Sequence, residues 1–416
     1  MKISKTMEAF LLHDEMDRVL EEVDFRMKNK TEYPVGLILL CALVGVTMGA
    51  NSWNDIAYAA ELRRETLLKY YPGIKSIPSH DTLRRFFSLV STDALEQVYR
   101  MWARTLLDAH FQRQESAADM RSQRDQTLYP QPPSGMHVAL DGKTNHGAMG
   151  KKGTASGARM HILSAFAVEY GICLGQRRME EKKGEITNLP MLIDELNLGE
   201  GDVVTIDAIG TQKKIAKAIT DTGADYILEV KANQRKLKEA IEQNIMDDMR
   251  HRRIRNDEAE EYEDSHGRMV HRHCFICSER HCLGEMAREW AGLRTYGVIH
   301  IERTIKSTGE RSEENHYFIS SLGRDAKTIM KYKRAHWGIE NNLHWMLDVQ
   351  YGEDEDRKRF NSAQNFALIN KMVMAILKLE ETKQTQGRKR MMAAADTRYL
   401  EKVINLFIEY FGSGKE

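Results

Sequence analysis

The chain has 416 residues and a mass of 47.9 kDa, enough for two or three domains. Lys plus Arg and Asp plus Glu both number 61, so the formal net charge is zero. That argues against a basic arm or a DNA-coating protein, though an enzyme with a local basic patch stays open. With 42% hydrophobic residues, 29% charged residues and 7 Pro, the composition is that of an ordered, soluble chain. Five Cys make a disulfide scaffold a poor reading and a reducing compartment the better one.

The first residues, MKISKTMEAFLLHDEMDR, are charged early and lack the apolar core of a signal peptide. The longest uncharged apolar run, Gly36 to Ala50, is too short to span a bilayer and reads as a buried helix, so no membrane association is expected. Residues 1–110 read as helical, with apolar spacings of three and four at Ile56, Ala59, Ala60 and Leu62 and again at Leu83, Phe86, Phe87 and Leu89. Pro78-Ser79 marks a helix start. This part is expected to bind DNA or to serve dimerisation, with Arg84 and Arg85 as candidate DNA contacts. Residues 111–135, polar and then Pro-rich, read as a linker.

Beyond the linker the pattern turns to strands followed by helices, the grammar of an α/β domain over 136–380. Expected strands lie at Met136–Leu140, His161–Val168, Gly171–Gln176, Asp202–Ile206 and Tyr226–Val230. The charged stretch 237–262 reads as helical, and 268–319 returns to strands. Long helices are expected over Ala326–Leu347 and Ser362–Leu379, then a loose polar Gln384–Lys389 within a carboxyl-terminal tail, 381–416.

Two acids sit where apolar strands run out: Asp141 before Gly142-Lys143, and Asp207 before Ala208-Ile209-Gly210. The carboxyl edge of a sheet is where α/β folds build sites. A third acid, Glu340, lies in His336-Trp337-Gly338-Ile339-Glu340-Asn341-Asn342-Leu343-His344-Trp345. Four-residue spacing puts His336, Glu340 and His344 on one helical face, while Leu343 and Leu347 should pack inward.

Asp141-Gly142-Lys143, Ile206-Asp207-Ala208, Val230-Lys231-Ala232-Asn233-Gln234, Ser265-His266-Gly267-Arg268 and His336-Trp337-Gly338-Ile339-Glu340-Asn341 resemble the H-repeat-associated (Rhs-linked) insertion-sequence transposases. Ser52-Trp53-Asn54-Asp55-Ile56 and Pro78-Ser79-His80-Asp81-Thr82 extend the resemblance to the helical part, in order over about residues 8–380. The resemblance implies a ribonuclease-H-like core, a mixed sheet flanked by helices, with a strand-rich insertion at about 237–325. It implies a catalytic triad of Asp141, Asp207 and Glu340, and an enzyme of the bacterial cytoplasm that cuts element ends and joins the 3′-hydroxyl to target DNA. Two element ends must be paired, so a homodimer is expected. Where many related transposases carry Arg four before the Glu and Lys seven after, this chain has His336 and Leu347.

The residue types suit that chemistry by themselves. Two metal ions about 3.5–4 Å apart activate the attacking oxygen and stabilise the leaving one. Carboxylates select Mg²⁺ or Mn²⁺. Asp141 would serve both ions, and Asp207 and Glu340 one each. Candidate DNA contacts are Lys143, Arg159, Lys231, Asn233, Gln234, His336, Trp337, Asn341 and His344; between Lys143 and Lys183 eight basic residues face three acidic ones. Other readings are a metal-dependent nuclease of the same fold, or a copy that only binds DNA.

Cys274 and Cys277 have zinc-like spacing, but no second pair follows, and in a strand they face opposite sides. The acidic run Glu353–Asp356 reads as a solvated turn. Ideal helical geometry keeps Trp337 near the Glu340 face and turns Trp345 about 140° away, toward the core.

Overall fold

The computed structural model describes residues 16–27, 31–122, 135–145, 160–179, 184–251, 256–355 and 357–412. The helical part opens with α1 (Val35–Thr47), every residue of which is buried. A helix apolar on all sides belongs in the middle of a bundle. Among the described residues, no helix is long and apolar enough to cross a membrane. Against α1 pack α2 (Trp53–Leu62) and α3 (Arg64–Tyr70). At Gly45 a Cβ would lie 2.8 Å from the Ile56 backbone, so glycine is what lets α1 and α2 approach. Ser52 caps α2, and Ser79 caps α4 (His80–Leu89), each accepting the N–H three residues on. The helix start expected at Pro78-Ser79 is therefore present. The intervening α3 rules out a short-turn pairing of α2 with α4.

The helix α5 (Thr92–Ser122) runs well into the stretch read as linker. Residues 123–134, where the Pro cluster falls, lie outside the described residues.

The described strands form one sheet of nine in the order β3-β2-β1-β4-β5-β9-β8-β7-β6. β1 (His137–Asn145), β2 (Met160–Ala167) and β3 (Ile172–Met179) make an antiparallel meander. β4 (Val203–Ile206) and β5 (Asp225–Val230) then add parallel strands, with α6 (Glu185–Glu195) and α7 (Lys213–Asp221) as crossovers. This is the mixed, helix-flanked sheet that the sequence led us to expect.

After β5 comes α8 (Arg235–His251), shorter than the helix expected over 237–262, because β6 begins at Asn256. The alternation Glu258, Glu260, Tyr262 against Ala259, Glu261, Glu263 is a two-residue period that charge content masks. β6 (Asn256–Ser265) and β7 (Arg268–Cys277) are joined by His266-Gly267, both at positive φ (50° and 74°), which a tight two-residue hairpin demands. β8 (Thr295–Ile305) and β9 (Arg311–Ser320) complete the strand-rich region. It continues the main sheet, since β9 pairs with β5. Cys274 and Cys277 are buried on opposite faces of β7, as strand geometry requires, so they cannot share a zinc ion.

The helix expected over Ala326–Leu347 is broken. It comprises α9 (Ala326–His336), a π turn over Glu340–His344 and α10 (Trp345–Tyr351). α11 (Phe360–Leu379) then packs against α1, α4, α5 and β3, joining bundle to sheet. Residues expected to be loose or a tail instead form α12 (Gln386–Ala395) and α13 (Thr397–Gly412). Leu400, Val403, Ile404 and Phe407 of α13 are buried in the same continuous core as α1. Full burial of one such side chain is worth about 1.5–3 kcal/mol, so this segment is part of the folded body.

Candidate active site

β1 and β4 run parallel only as far as the Leu140–Ile206 pair, and the next residue on each is an acid. Asp141 continues β1, because its other neighbour β2 goes on pairing through Asn145. It is therefore inside a strand, not just past one as its sequence context implied. Asp207 leaves β4 and caps a short turn, accepting the Ile209 N–H at 3.1 Å.

Glu340 comes to these acids on the π turn. Leu343 and Leu347 beside it are buried, 0% and 1% exposed, and anchor that segment on the core. The Asp141 and Glu340 carboxylates both lie 3.4 Å from Nδ1 of buried His344. One ligand atom from each of these three residues falls within 4.8 Å of the others. Burial, then the Glu340 and Asp207 charges, push the Asp141 carboxyl up to about 8. The His344 imidazole beside it holds Glu340 below its usual range. Crowded acids in a partly desolvated place are stable only if a proton or cation compensates them. Carboxylate oxygens with one imidazole nitrogen fit a divalent cation.

The surroundings hold these groups in place. Gly142 carries no side chain because the buried Glu185 carboxylate occupies the space a Cβ would need. Glu185 is an acid that no sequence pattern singled out. Lys143 projects two residues on from Asp141, pairs with Asp348, and lies 3.8 Å from Glu353. Its side chain is only 13% exposed, so the ammonium is committed to those carboxylates instead of facing outward. Glu353, read as part of a solvated turn, is buried and accepts from Asn370 Nδ2. Such burial is tolerable because Lys143 supplies the opposite charge.

The other sequence candidates divide. Asn233 Nδ2 donates to the Ala208 carbonyl at 2.5 Å and Gln234 Nε2 to that of Thr211 at 2.9 Å. Both amides thus clamp the loop that follows Asp207. His336 Nδ1 bonds inward to Thr205 Oγ1 at 2.8 Å. Lys231 is exposed and pairs with Glu229, and Asn341 is exposed. Arg159 lies outside the described residues.

Trp337 and Trp345 are both exposed, 61% and 54%. The core position expected for Trp345 is incorrect. The Trp345 N–H bonds to the Glu340 carbonyl five residues back, and this wider turn brings Trp345 round toward the Glu340 side.

A cleft of about 700 Å³ adjoins this region, between α2, α4 and the 351–366 segment. Its walls include Trp53, Arg84, Arg357, Lys358, Arg359 and Phe366. Glu353, the neighbour of Lys143, lines it too.

Comparison with known proteins places the chain in a family. The family model described as "Transposase DDE domain" matches residues 106–377, and its amino-terminal companion, DDE_Tnp_1-associated, matches 18–103. YncI of Escherichia coli O157:H7, which carries a transposase name, is 34% identical over 386 residues, 92% of each chain. YhhI of Escherichia coli (strain K12), named as H repeat-associated, is 31% identical over 401 residues, 94% of this chain and 98% of its own. A solved piggyBac transposase synaptic complex with hairpin DNA aligns with 96% of this chain and 82% of its own at 14% identity, with a TM-score of 0.37. Proteins of the DDE family generally use divalent metal ions. With its family match over most of its length, the chain belongs to the DDE transposase family and is a transposase of that type.

Proposed function

We propose that Asp141, Asp207 and Glu340 are the catalytic carboxylates of this transposase, acting in the bacterial cytoplasm on the terminal inverted repeats of an insertion sequence and on target DNA. One observation carries the reading. Asp141 and Glu340 come together beside His344 where the parallel strands β1 and β4 end, and the charge of Asp207, the first residue past β4, also acts on Asp141.

Asp141 and Glu340 would hold a divalent cation, Mg²⁺ or Mn²⁺, with Asp207 contributing to a second. Bound there, the ions supply an activated attacking oxygen and a stabilised leaving oxygen. The chain's own groups set the geometry. Asn233 and Gln234 fix the loop that aims Asp207. Leu343 and Leu347 seat Glu340. Lys143 holds Asp348 and Glu353, so those acids do not compete for the cation. Trp337, Asn341 and Trp345, exposed around Glu340, suit contact with the DNA end, and an exposed indole offers a face for an unpaired base. The cleft wall that bears Arg357 and Arg359 suits the phosphate backbone. Pairing of two ends calls for two copies of the chain.

The test is a strand-transfer assay on element-end DNA with Mg²⁺. Asp141→Asn, Asp207→Asn and Glu340→Gln should each abolish cutting and joining while leaving specific DNA binding intact. Near wild-type cleavage in any one removes that residue from the triad. Cutting without joining in the wild type would mark a nuclease.

A further inference from the structure

We infer that His344 is itself a ligand of the divalent cation, so that the site offers a nitrogen beside its carboxylate oxygens. The inference rests on the reading of Asp141 and Glu340 as cation ligands and adds a residue that the Asp-Asp-Glu pattern does not contain. His344 is 5% exposed, deeper than either acid beside it, whose side chains are 20% and 51% exposed. A ring this buried is aimed by its packing.

Its Nδ1 is equidistant, at 3.4 Å, from Asp141 Oδ2 and Glu340 Oε2. A histidine placed to donate a hydrogen bond would sit within about 2.7–3.2 Å of one acceptor. Equal, longer separations from two oxygens are those of donor atoms disposed around a common centre. Nε2 is buried and meets no hydrogen-bond partner among the described residues. Nδ1 faces two carboxylate oxygens at once, an arrangement that a cation between them makes favourable. The π turn contributes here, since the Trp345 N–H reaches back to the Glu340 carbonyl and sets His344 and Glu340 on one short segment.

A nitrogen ligand changes the selectivity expected of the site. Oxygen-only sites suit Mg²⁺ and Ca²⁺, whereas imidazole shifts preference toward transition ions. The site should therefore hold Mn²⁺ more tightly than Mg²⁺, and that margin should shrink when the nitrogen is removed.

The experiment uses the full chain with Mn²⁺ alone and no DNA. Pulsed electron paramagnetic resonance of the wild type should show ¹⁴N modulation from one imidazole. In His344→Gln that modulation should vanish, Mn²⁺ affinity should fall by at least about tenfold, and Mg²⁺ affinity should change less. Thermal melting checks that the variant is folded, and the wild-type spectrum needs no variant. If Asp141→Asn abolishes Mn²⁺ binding but the wild type shows no ¹⁴N modulation, the cation site stands and His344 is not its ligand. If Asp141→Asn leaves Mn²⁺ binding unchanged, the site reading fails and takes this inference with it.

Discussion

Thr205 and His336 are joined by a 2.8 Å hydrogen bond between Oγ1 and Nδ1, across 131 residues of sequence. The same hydroxyl lies 2.7 Å from His137 Nε2. A buried relay therefore ties β1, β4 and α9 together just below the three acids. Both imidazoles are kept neutral, burial pushing His137 down to about 3 and His336 to about 4.

Thr205→Val keeps the shape and removes the hydroxyl. Two imidazole nitrogens then lose their partner, at about 1–3 kcal/mol for each buried group left unpaired. The melting temperature should fall, and cleavage should fall further than DNA binding, because the Glu340 segment loses its tie to β4. Unchanged melting and cleavage in this variant would show that the relay does not matter.

The His137 environment also sets a pH dependence. Unfolded, the ring takes up a proton below about 6.5, while the folded ring resists until about 3. Its contribution to stability is thus complete above pH 6.5 and is lost as the pH falls toward 3. Melting temperature measured from pH 7 to pH 4 should decline, with His336 acting in the same direction. His137→Gln should flatten that slope. A slope identical in variant and wild type would exclude His137 as a source.

Trp337 and Trp345 are exposed on the segment that bears Glu340, so neither contributes a core contact of note. Trp337→Ala and Trp345→Ala should each change stability by no more than about 0.5 kcal/mol, the usual range for surface positions. Each should lower cleavage or joining, by an amount consistent with losing about 1–3 kcal/mol of base stacking. Melting curves beside cleavage rates decide the matter. A large loss of stability in either variant, with cleavage intact, would return that Trp to a structural role.

Arg357 and Arg359 are exposed on the wall of the cleft, and no acidic partner is found for either among the described residues. Arg357→Ala and Arg359→Ala should weaken DNA binding about equally across sequences. Each should reduce the slope of log affinity against log salt by about 0.9, as expected for one lost phosphate contact. Binding measured at several salt concentrations tests this, and an unchanged slope would remove the cleft from the DNA path.

Much of this architecture was legible before any coordinates. An apolar run ending in Asp announces a strand and the start of a turn, which is local grammar, and it singled out Asp141 and Asp207. The three- and four-residue recurrence of apolar side chains announced α2 and α4, and the four-residue spacing of Glu340 and His344 placed them together. Charge content misled over 256–262, where a strand rich in Glu looks helical until its partner β7 is known.

Other features belong to the tertiary structure because their causes lie far away in sequence. Lys143 turns inward only because Asp348 and Glu353 arrive from 205 and more residues away. Glu353 is buried for the same reason, although its own neighbours read as a solvated turn. Trp345 is exposed because one widened turn changes the phase of the helix, and spacing in the sequence does not record where such a turn falls. The α12–α13 segment is ordered because the bundle around α1 offers apolar surface for it to cover. The sequence by itself determined which residues carry acids, apolar faces and turn chemistry. The packed chain decided which charges meet, since burial and pairing are properties of the whole fold and not of any one segment.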